Sequence, residues 1–217
     1  MEEEVRMLET ALTDVRKAYL LLHAYQKRLL DTCRSIGDRL GCDFYQTAYH
    51  GQRPPQAGTK PFQGFDWGML PLYNFSLVFL PPNALADPNF TKANDWMLEV
   101  RVIADSTYIA LDGEWKKEPS RAKDPKDGKT SLILYAFQST KDLKRNWYWD
   151  VYTKANWPVP LTPVRDDVKS TAIYAMAFEV SQLLNREAVD EAASKFATAI
   201  AENLGIKVPM VGDEEPA

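Results

Sequence analysis

The fold is decided first by residues 5–40, whose sequence is VRMLETALTDVRKAYLLLHAYQKRLLDTCRSIGDRL. Apolar side chains recur there at alternating steps of three and four residues, with Gln26 as the one polar member of the series. That spacing keeps a single stripe on one face of a helix. The stripe consists of Val5, Leu8, Leu12, Val15, Tyr19, Leu22, Leu29, Cys33, Ile36 and Leu40. The pattern predicts that segment 1–41 is one long helix ending at Gly41.

A helix over about residues 3–40 is about 55 Å long, because each residue adds 1.5 Å. It is longer than a compact domain of this size is wide, so we expect part of it to protrude. One interpretation is that the stripe packs on the chain's own sheet and is only core. The other is that the protruding part pairs with a second helix, most simply a copy of itself, through Leu12, Val15, Tyr19 and Leu22.

The composition of the whole chain is that of a globular protein. Its 217 residues are 45% hydrophobic and 26% charged, with a formal net charge of −4, which predicts one compact domain. Three glutamates after Met1 have the wrong charge for an export signal, and every apolar stretch is far shorter than the roughly 18 residues of a membrane span. Cys33 and Cys42 lie too far apart on a helix for a disulfide, so we expect free thiols and a cytoplasmic location.

After Gly41 the periodicity changes to that of a sheet. Segment 42–165 contains runs rich in β-branched and aromatic residues, which predict an antiparallel sheet of about five or six strands. The predicted strands are residues 43–49, 73–80, 96–104, 107–111, 131–139 and 147–153. Only Asp105 and Ser106 separate the third strand from the fourth, which predicts a tight hairpin. Long loops are expected at 50–72 and 114–130, where proline, glycine and charged residues concentrate.

The carboxyl-terminal third returns to helical spacing. The pattern in segment 166–205 predicts two helices, the first capped by Asp166 or Asp167 and the second ending at Gly205, or one helix with a break near Asn185. Their apolar positions are Val168, Ala172, Met176, Val180, Leu183 and Leu184, then Val189, Ala192, Ala193, Phe196, Ile200 and Leu204. Residues 206–217 are expected to be an acidic tail. The order of helix, strands and helices predicts an α+β fold with the carboxyl-terminal helices packed on one face of the sheet.

Carboxylates provide the one enzymatic hypothesis. Glu99 and Arg101 share a face of a predicted strand, with Asp66 before it and Asp105 after it. The arrangement loosely resembles the nuclease superfamily that holds Mg²⁺ with two carboxylates beside a lysine, which implies a metal-dependent phosphodiesterase, with His50 as a further candidate. Arginine stands in the lysine position and cannot act as a base. A charged pair on the solvent face of a half-exposed strand explains the same residues.

The aromatic run at 147–157 is a candidate contact surface. If 147–153 is a strand, Tyr148 and Tyr152 share one face, with Arg145 and Trp157 nearby. Ten basic and six acidic residues between Gly113 and Lys154 make this region mildly basic. A protein partner or a base-stacking platform would suit it, although an isoelectric point of about 5.3 disfavours nucleic acid. Coverage of both strand faces by helices is the simpler interpretation.

These observations favour a non-catalytic interaction or regulatory module. We expect it to form a homo-oligomer through its amino-terminal helix, to bind a protein partner through Arg145, Tyr148, Tyr152 and Trp157, and to need no metal or cofactor. Two histidines and two cysteines exclude a zinc site of the usual spacing. A second alternative is a small-molecule or nucleotide pocket formed with the long loop, through Arg53, Lys60, Phe62 and Trp67.

Overall fold

The computed structural model describes residues 2–50, 73–87, 89–109, 124–143, 152, 155–166 and 170–209. Within them the α-helices are α1 (Glu2–Arg39), α2 (Pro82–Ala86), α3 (Ser106–Ile109) and α4 (Arg186–Leu204). The strands are β1 (Asp43–Tyr49), β2 (Asn74–Leu80), β3 (Trp96–Ile103), β4 (Ser131–Ser139), β5 (Val164–Asp166) and β6 (Thr171–Glu179). Short 3₁₀ turns lie at Pro125–Asp127 and Val180–Gln182. The predicted α+β class is confirmed.

The six strands form one antiparallel sheet in the order β1-β2-β3-β4-β6-β5. The first four are a meander in which each strand pairs with the next along the chain. In this register Glu99 of β3 stands between Val78 of β2 and Tyr135 of β4, and Arg101 stands opposite Ser76. The middle of β3 is therefore flanked by a hydrogen-bonded strand on each side.

The two faces of the sheet have different cover. The carboxyl-terminal part of α1 and the helix α4 pack on one face through Leu29, Cys33, Ile36, Phe196 and Ile200. A second core lies on the opposite face and includes Tyr135, Phe137, Tyr152 and Ile173. Alternating side chains of β2, β3, β4 and β6 enter the two cores in turn, because successive residues of a strand point to opposite faces.

The ends of both long helices follow from local chemistry. Asn185 caps α4, where its side chain accepts a hydrogen bond from the backbone N–H of Ala188 at 2.9 Å. Gly205 closes α4 in the left-handed conformation, with φ of 72°, as the sequence predicts. Gly41 adopts φ of 63° just after α1, and the N–H of Cys42 donates back to the carbonyl of Gly37. These glycines allow the chain to leave each helix without a Cβ clash.

Three sequence predictions of local structure are wrong. The first carboxyl-terminal helix is absent from the described residues of 166–185, which contain the last residue of β5, the strand β6 and a 3₁₀ turn. A short apolar run of this kind fits a helix or a strand equally well. Here nine residues of β6 pair with nine residues of β4, and this pairing makes the segment a strand. At Ser106–Ile109 the helix α3, whose first turn is capped by Asp105, stands in place of the predicted hairpin and the start of the predicted strand at 107–111; residues 110 and 111 lie outside the described residues. The tail does not begin at residue 206, because Ile206 is buried in the core beneath α4.

The remaining predictions of local structure have mixed outcomes. Strands β1 to β4 are confirmed, and so is the prediction that the thiols of Cys33 and Cys42 are free; both thiols are buried. Residues 51–72, most of the loop at 114–130, the predicted strand at 147–153 apart from Tyr152, and residues 210–217 lie outside the described residues. Among the described helices, none combines the length and apolar character that crossing a bilayer requires.

Candidate functional site

The amino-terminal half of α1 is the largest apolar feature left uncovered by the described fold. From Glu2 to Ala24 every residue except Thr13 is exposed. The stripe nevertheless continues through this part, and its members Val5, Leu8, Leu12, Val15 and Tyr19 are between 47% and 69% exposed. Soluble proteins rarely leave large contiguous apolar patches in water unless the patch contacts a partner.

The same stripe changes its environment along the helix. Leu22 is 36% exposed, whereas Leu29 is only 2% exposed and lies in the core with Cys33 and Ile36. One continuous face therefore packs on the protein's own sheet and α4 in its second half and faces solvent in its first half. The core interpretation therefore holds from Leu29 onward, whereas the stripe up to Leu22 is not covered by the described residues.

The exposed half of α1 also has an uneven charge. Residues 2–14 contain five acidic residues and one basic residue, and residues 16–28 contain four basic residues and no acidic residue. The uncovered stripe is thus flanked by negative charge in its first part and by positive charge in its second part. A surface of this kind is complementary to itself when one copy is reversed, because opposite charges attract across an interface.

A second feature is a polar cluster in the core on the other face of the sheet. Glu99 is 0% exposed at the centre of β3, and its Oε1 accepts hydrogen bonds from Ser76 Oγ and, at 3.1 Å, from Tyr152 OH. His50 follows β1, and its Nε2 lies 2.6 Å from Ser76 Oγ and 3.3 Å from Glu99 Oε1. Glu99 Oε2 is buried with no hydrogen-bond partner among the described residues.

Aromatic rings enclose this cluster. Trp157 packs edge to face on Tyr135, Phe137, Tyr152 and His50 with centroid distances of 4.9 to 5.5 Å. Arg101 places its guanidinium 5.8 Å from the centroid of the same indole ring. Burial, and then the charge of Glu99, raise the pKa of the Tyr152 phenol, so that it stays protonated and donates. Burial also raises the pKa of Tyr135.

The geometry of the cluster does not match a nucleophilic triad. In a triad the histidine uses one ring nitrogen for the nucleophile and the other for the carboxylate. Here the same ring nitrogen of His50, Nε2, lies within 3.3 Å of Ser76 Oγ, Glu99 Oε1 and Tyr152 OH alike. The described residues also contain no group of three or more His, Cys, Asp or Glu side chains that could hold a metal ion. The arrangement is that of a hydrogen-bonded buried carboxylate.

The structure separates the residues of the nuclease hypothesis. Asp105 lies beyond the end of β3, which at Ile103 is already about 13 Å from Glu99 for a rise of about 3.3 Å per residue. Its carboxylate is occupied by the N–H and hydroxyl of Thr107, at 2.8 and 2.7 Å. Asp66 lies outside the described residues. The simpler interpretation, a charged pair on a solvent face, is wrong for Glu99, although Glu99 and Arg101 do share a face as predicted.

The predicted partner surface is also changed. Tyr152 is 6% exposed and Trp157 is half-buried, so both contribute to the second core rather than to an open surface. Arg145, Tyr148, Arg53, Lys60, Phe62 and Trp67 lie outside the described residues. Sequence reasoning missed Ser76. Its signal is a hydroxyl in the otherwise apolar strand sequence FSLVFL, because a buried hydroxyl needs a partner.

The fold and these features define an α+β protein with one antiparallel sheet and a half-uncovered amino-terminal helix. Residues 5–205 match the family model described as PM0109, and the chain therefore belongs to the PM0109 family. A relative from Pasteurella multocida (strain Pm70), called "Uncharacterized protein PM0109", is 25% identical over 165 residues, covering 70% of this chain and 71% of the relative. No solved structure matches the chain. The family match begins at Val5 and so includes the uncovered stripe.

Proposed function

We propose that this protein is a self-associating interaction module whose amino-terminal helix pairs with the same helix of a second copy. The observation that carries the proposal is the stripe on α1, which is core after Leu29 and uncovered before it. Seven-residue spacing is the pattern by which two helices pack side chains into each other. A second copy is the occupant because the stripe is matched in length and in charge by its own reversed image.

The exposed part of the helix is long enough for such pairing. Residues 5–22 extend over about 26 Å at 1.5 Å per residue, or about five turns. An isolated helix of this length is marginal in water, and burial of its apolar face is the usual source of stability. Because α1 continues into the core at Leu29, the folded body anchors one end of the exposed segment. We therefore expect the helix to be available as a preformed surface.

The proposed location is the cytoplasm. Cys33 and Cys42 are the two cysteines of the chain, and both are free and buried. Unpaired thiols are usual in a reducing compartment. The proposal does not include catalysis, since the buried cluster around Glu99 is surrounded by its own hydrogen bonds and aromatic rings on the sides that the structure describes.

The test is the mass in solution, measured by light scattering or by sedimentation at several concentrations. We expect twice the 24.7 kDa of a single chain. We call the contact between the two exposed stripes the seam of the dimer. The double substitution Leu12→Asp and Leu22→Asp should give the single-chain mass, because a carboxylate in the seam would be buried without a charged or hydrogen-bonding partner. Circular dichroism and thermal unfolding should show that the sheet remains folded.

A matched control is available on the same helix. Leu20 lies off the stripe and is 73% exposed, so Leu20→Asp adds the same charge to the same segment without entering the seam. The Leu20→Asp protein should keep the mass of the unsubstituted protein. A single-chain mass for the unsubstituted protein at all concentrations up to about 100 μM, well above the micromolar Kd expected of a specific short interface, would refute self-association.

A further inference from the structure

We infer that the two helices of the proposed dimer run antiparallel, centred between Leu12 and Val15. The inference rests on the proposed function, since it names the orientation and register of that same pairing. It follows from three independent features of α1: the place where the protein's own core covers the stripe, the match of apolar positions on reversal, and the charges beside the seam.

Steric overlap between the two folded bodies disfavours a parallel pair. From Leu29 to Leu40 the stripe packs on the sheet and α4 of its own chain. A parallel partner that lies along the stripe of residues 5–22 would continue into the space that this body already fills. Two parallel copies would each present a folded body on the seam side, at the same end. Reversal of one copy places the two bodies at opposite ends of the seam.

The apolar positions of the exposed stripe match one another when one helix is reversed. Reversal about a point between Leu12 and Val15 brings residue i of one helix opposite residue 27 − i of the other. The layers then pair Val5 with Leu22, Leu8 with Tyr19, and Leu12 with Val15 of the second copy. Each layer occurs twice by the twofold symmetry, as expected for a closed dimer. Every exposed member of the stripe is covered by another apolar member of the same stripe.

The charged residues beside the stripe also favour the antiparallel orientation. Glu9 and Arg16 occupy the same position beside the seam, one heptad apart, and both are exposed. In the antiparallel register Glu9 of each copy lies beside Arg16 of the other, giving two attractive pairs. In a parallel register Glu4 of one copy would lie beside Glu9 of the other, which is repulsive. The acidic residues 2–14 would also face each other in the parallel arrangement and face the basic residues 16–28 in the antiparallel one.

Charge reversal distinguishes the two orientations by the sign of its effect. Glu9→Arg replaces two attractive pairs by two repulsive ones in the antiparallel dimer and should weaken dimerisation by about tenfold at low salt. In a parallel dimer the same substitution removes Glu4–Glu9 repulsion and should strengthen it. An equimolar mixture of the Glu9→Arg protein and the Arg16→Glu protein should recover tight pairing as a mixed dimer, since both pairs are then attractive.

Crosslinking measures the register directly. Val5→Cys protein and Leu22→Cys protein, carrying different affinity tags, are mixed and oxidised. The antiparallel register places the two new thiols in one layer, so the covalent product should be the mixed dimer. In a dimer of two Val5→Cys copies the new thiols would lie about 25 Å apart, 17 residues along the seam, beyond disulfide reach. The native cysteines are buried and should not compete.

The outcomes separate the inference from the proposed function. A dimer whose Val5→Cys protein crosslinks to itself has the parallel orientation, which overturns the inference and keeps the proposed function. A protein that stays monomeric by mass and forms no crosslink refutes both. A dimer that Glu9→Arg weakens, and in which only the mixed pair crosslinks, establishes the antiparallel register.

Discussion

Tyr152 donates a hydrogen bond to the carboxylate of Glu99 across 3.1 Å, at the centre of the sheet face that lies opposite α1 and α4. The two residues are 53 positions apart in the chain and are both buried. A carboxylate without any exposed surface is costly unless hydrogen bonds compensate for lost water. Ser76 and His50 supply the other contacts of Oε1, whereas Oε2 has no hydrogen-bond partner among the described residues.

Removal of the carboxylate should therefore destabilise the protein strongly. We expect Glu99→Ala to lower the free energy of unfolding by about 3 kcal/mol, because Ser76 and Tyr152 lose their acceptor in a buried site. Urea unfolding at pH 7 measures the change. Tyr152→Phe removes one donor and should cost only about 1 kcal/mol. If the free energy of unfolding of Glu99→Ala stayed within about 0.5 kcal/mol of the original value, as for an ordinary surface change, the hydrogen bonds to Glu99 would not contribute to stability.

The raised pKa of Tyr152 predicts a loss of stability in alkali. The unfolded phenol ionises near its ordinary pKa of 10, while burial and Glu99 keep the folded phenol protonated at higher pH. Stability from this group is complete below about pH 10 and decreases as pH rises above it, by up to about 1.4 kcal/mol per pH unit. Unfolding measured from about pH 9 to 11.5 should fall more steeply for the original protein than for Tyr152→Phe. Parallel curves would contradict the assignment.

The two thiols should be unreactive in the folded protein. Burial raises the pKa of Cys33 to about 12 and raises that of Cys42 as well, so the reactive thiolate is scarce at neutral pH. With a coloured disulfide reagent at about pH 8, we expect no rapid reaction of the folded protein in buffer. In guanidinium, two thiols per chain should react. Rapid modification of either cysteine without denaturant would show that the carboxyl-terminal end of α1 separates readily from the core.

Gly37 is required by close packing against the sheet rather than by a turn. A Cβ built on this residue meets the Cδ1 and Cε1 atoms of Phe79 at 2.6 and 2.7 Å. Gly37→Ala should therefore lower the free energy of unfolding by about 1–3 kcal/mol despite the better helix propensity of alanine. Ser35→Ala, an exposed change two residues earlier, should stay within about 0.5 kcal/mol. Recovery of stability in Gly37→Ala combined with Phe79→Leu would identify the ring as the cause.

Much of the secondary structure could be predicted because its signals are local. The three-and-four spacing of α1, the β-branched runs of β1 to β4, and the terminal glycine of α4 each lie within one segment. β6 could not be predicted in the same way, because Thr171–Tyr174 is buried on both faces and loses the alternation typical of a strand. Its identity as a strand depends on β4, more than 30 residues earlier, and β5 is too short to give a signal.

The polar cluster was only partly accessible to sequence reasoning. A lone Glu99 among apolar neighbours and an isolated His50 were visible as candidates, yet their meeting with Ser76 and Tyr152 depends on strand register and on a segment from another part of the chain. The pattern could indicate that Glu99 and Arg101 share a face, since that follows from the strand period. It could not indicate that this face is covered.

The amino-acid sequence alone determined that α1 is one continuous amphipathic helix, because helical periodicity depends only on neighbours three and four residues away. The tertiary structure decided which part of that helix is core and which part remains uncovered, since burial depends on where the sheet and α4 end against it. The same holds for Glu99, whose position on β3 is local but whose burial comes from aromatic rings contributed by distant segments. Periodicity places a side chain on a face, and only the packed fold determines what lies against that face.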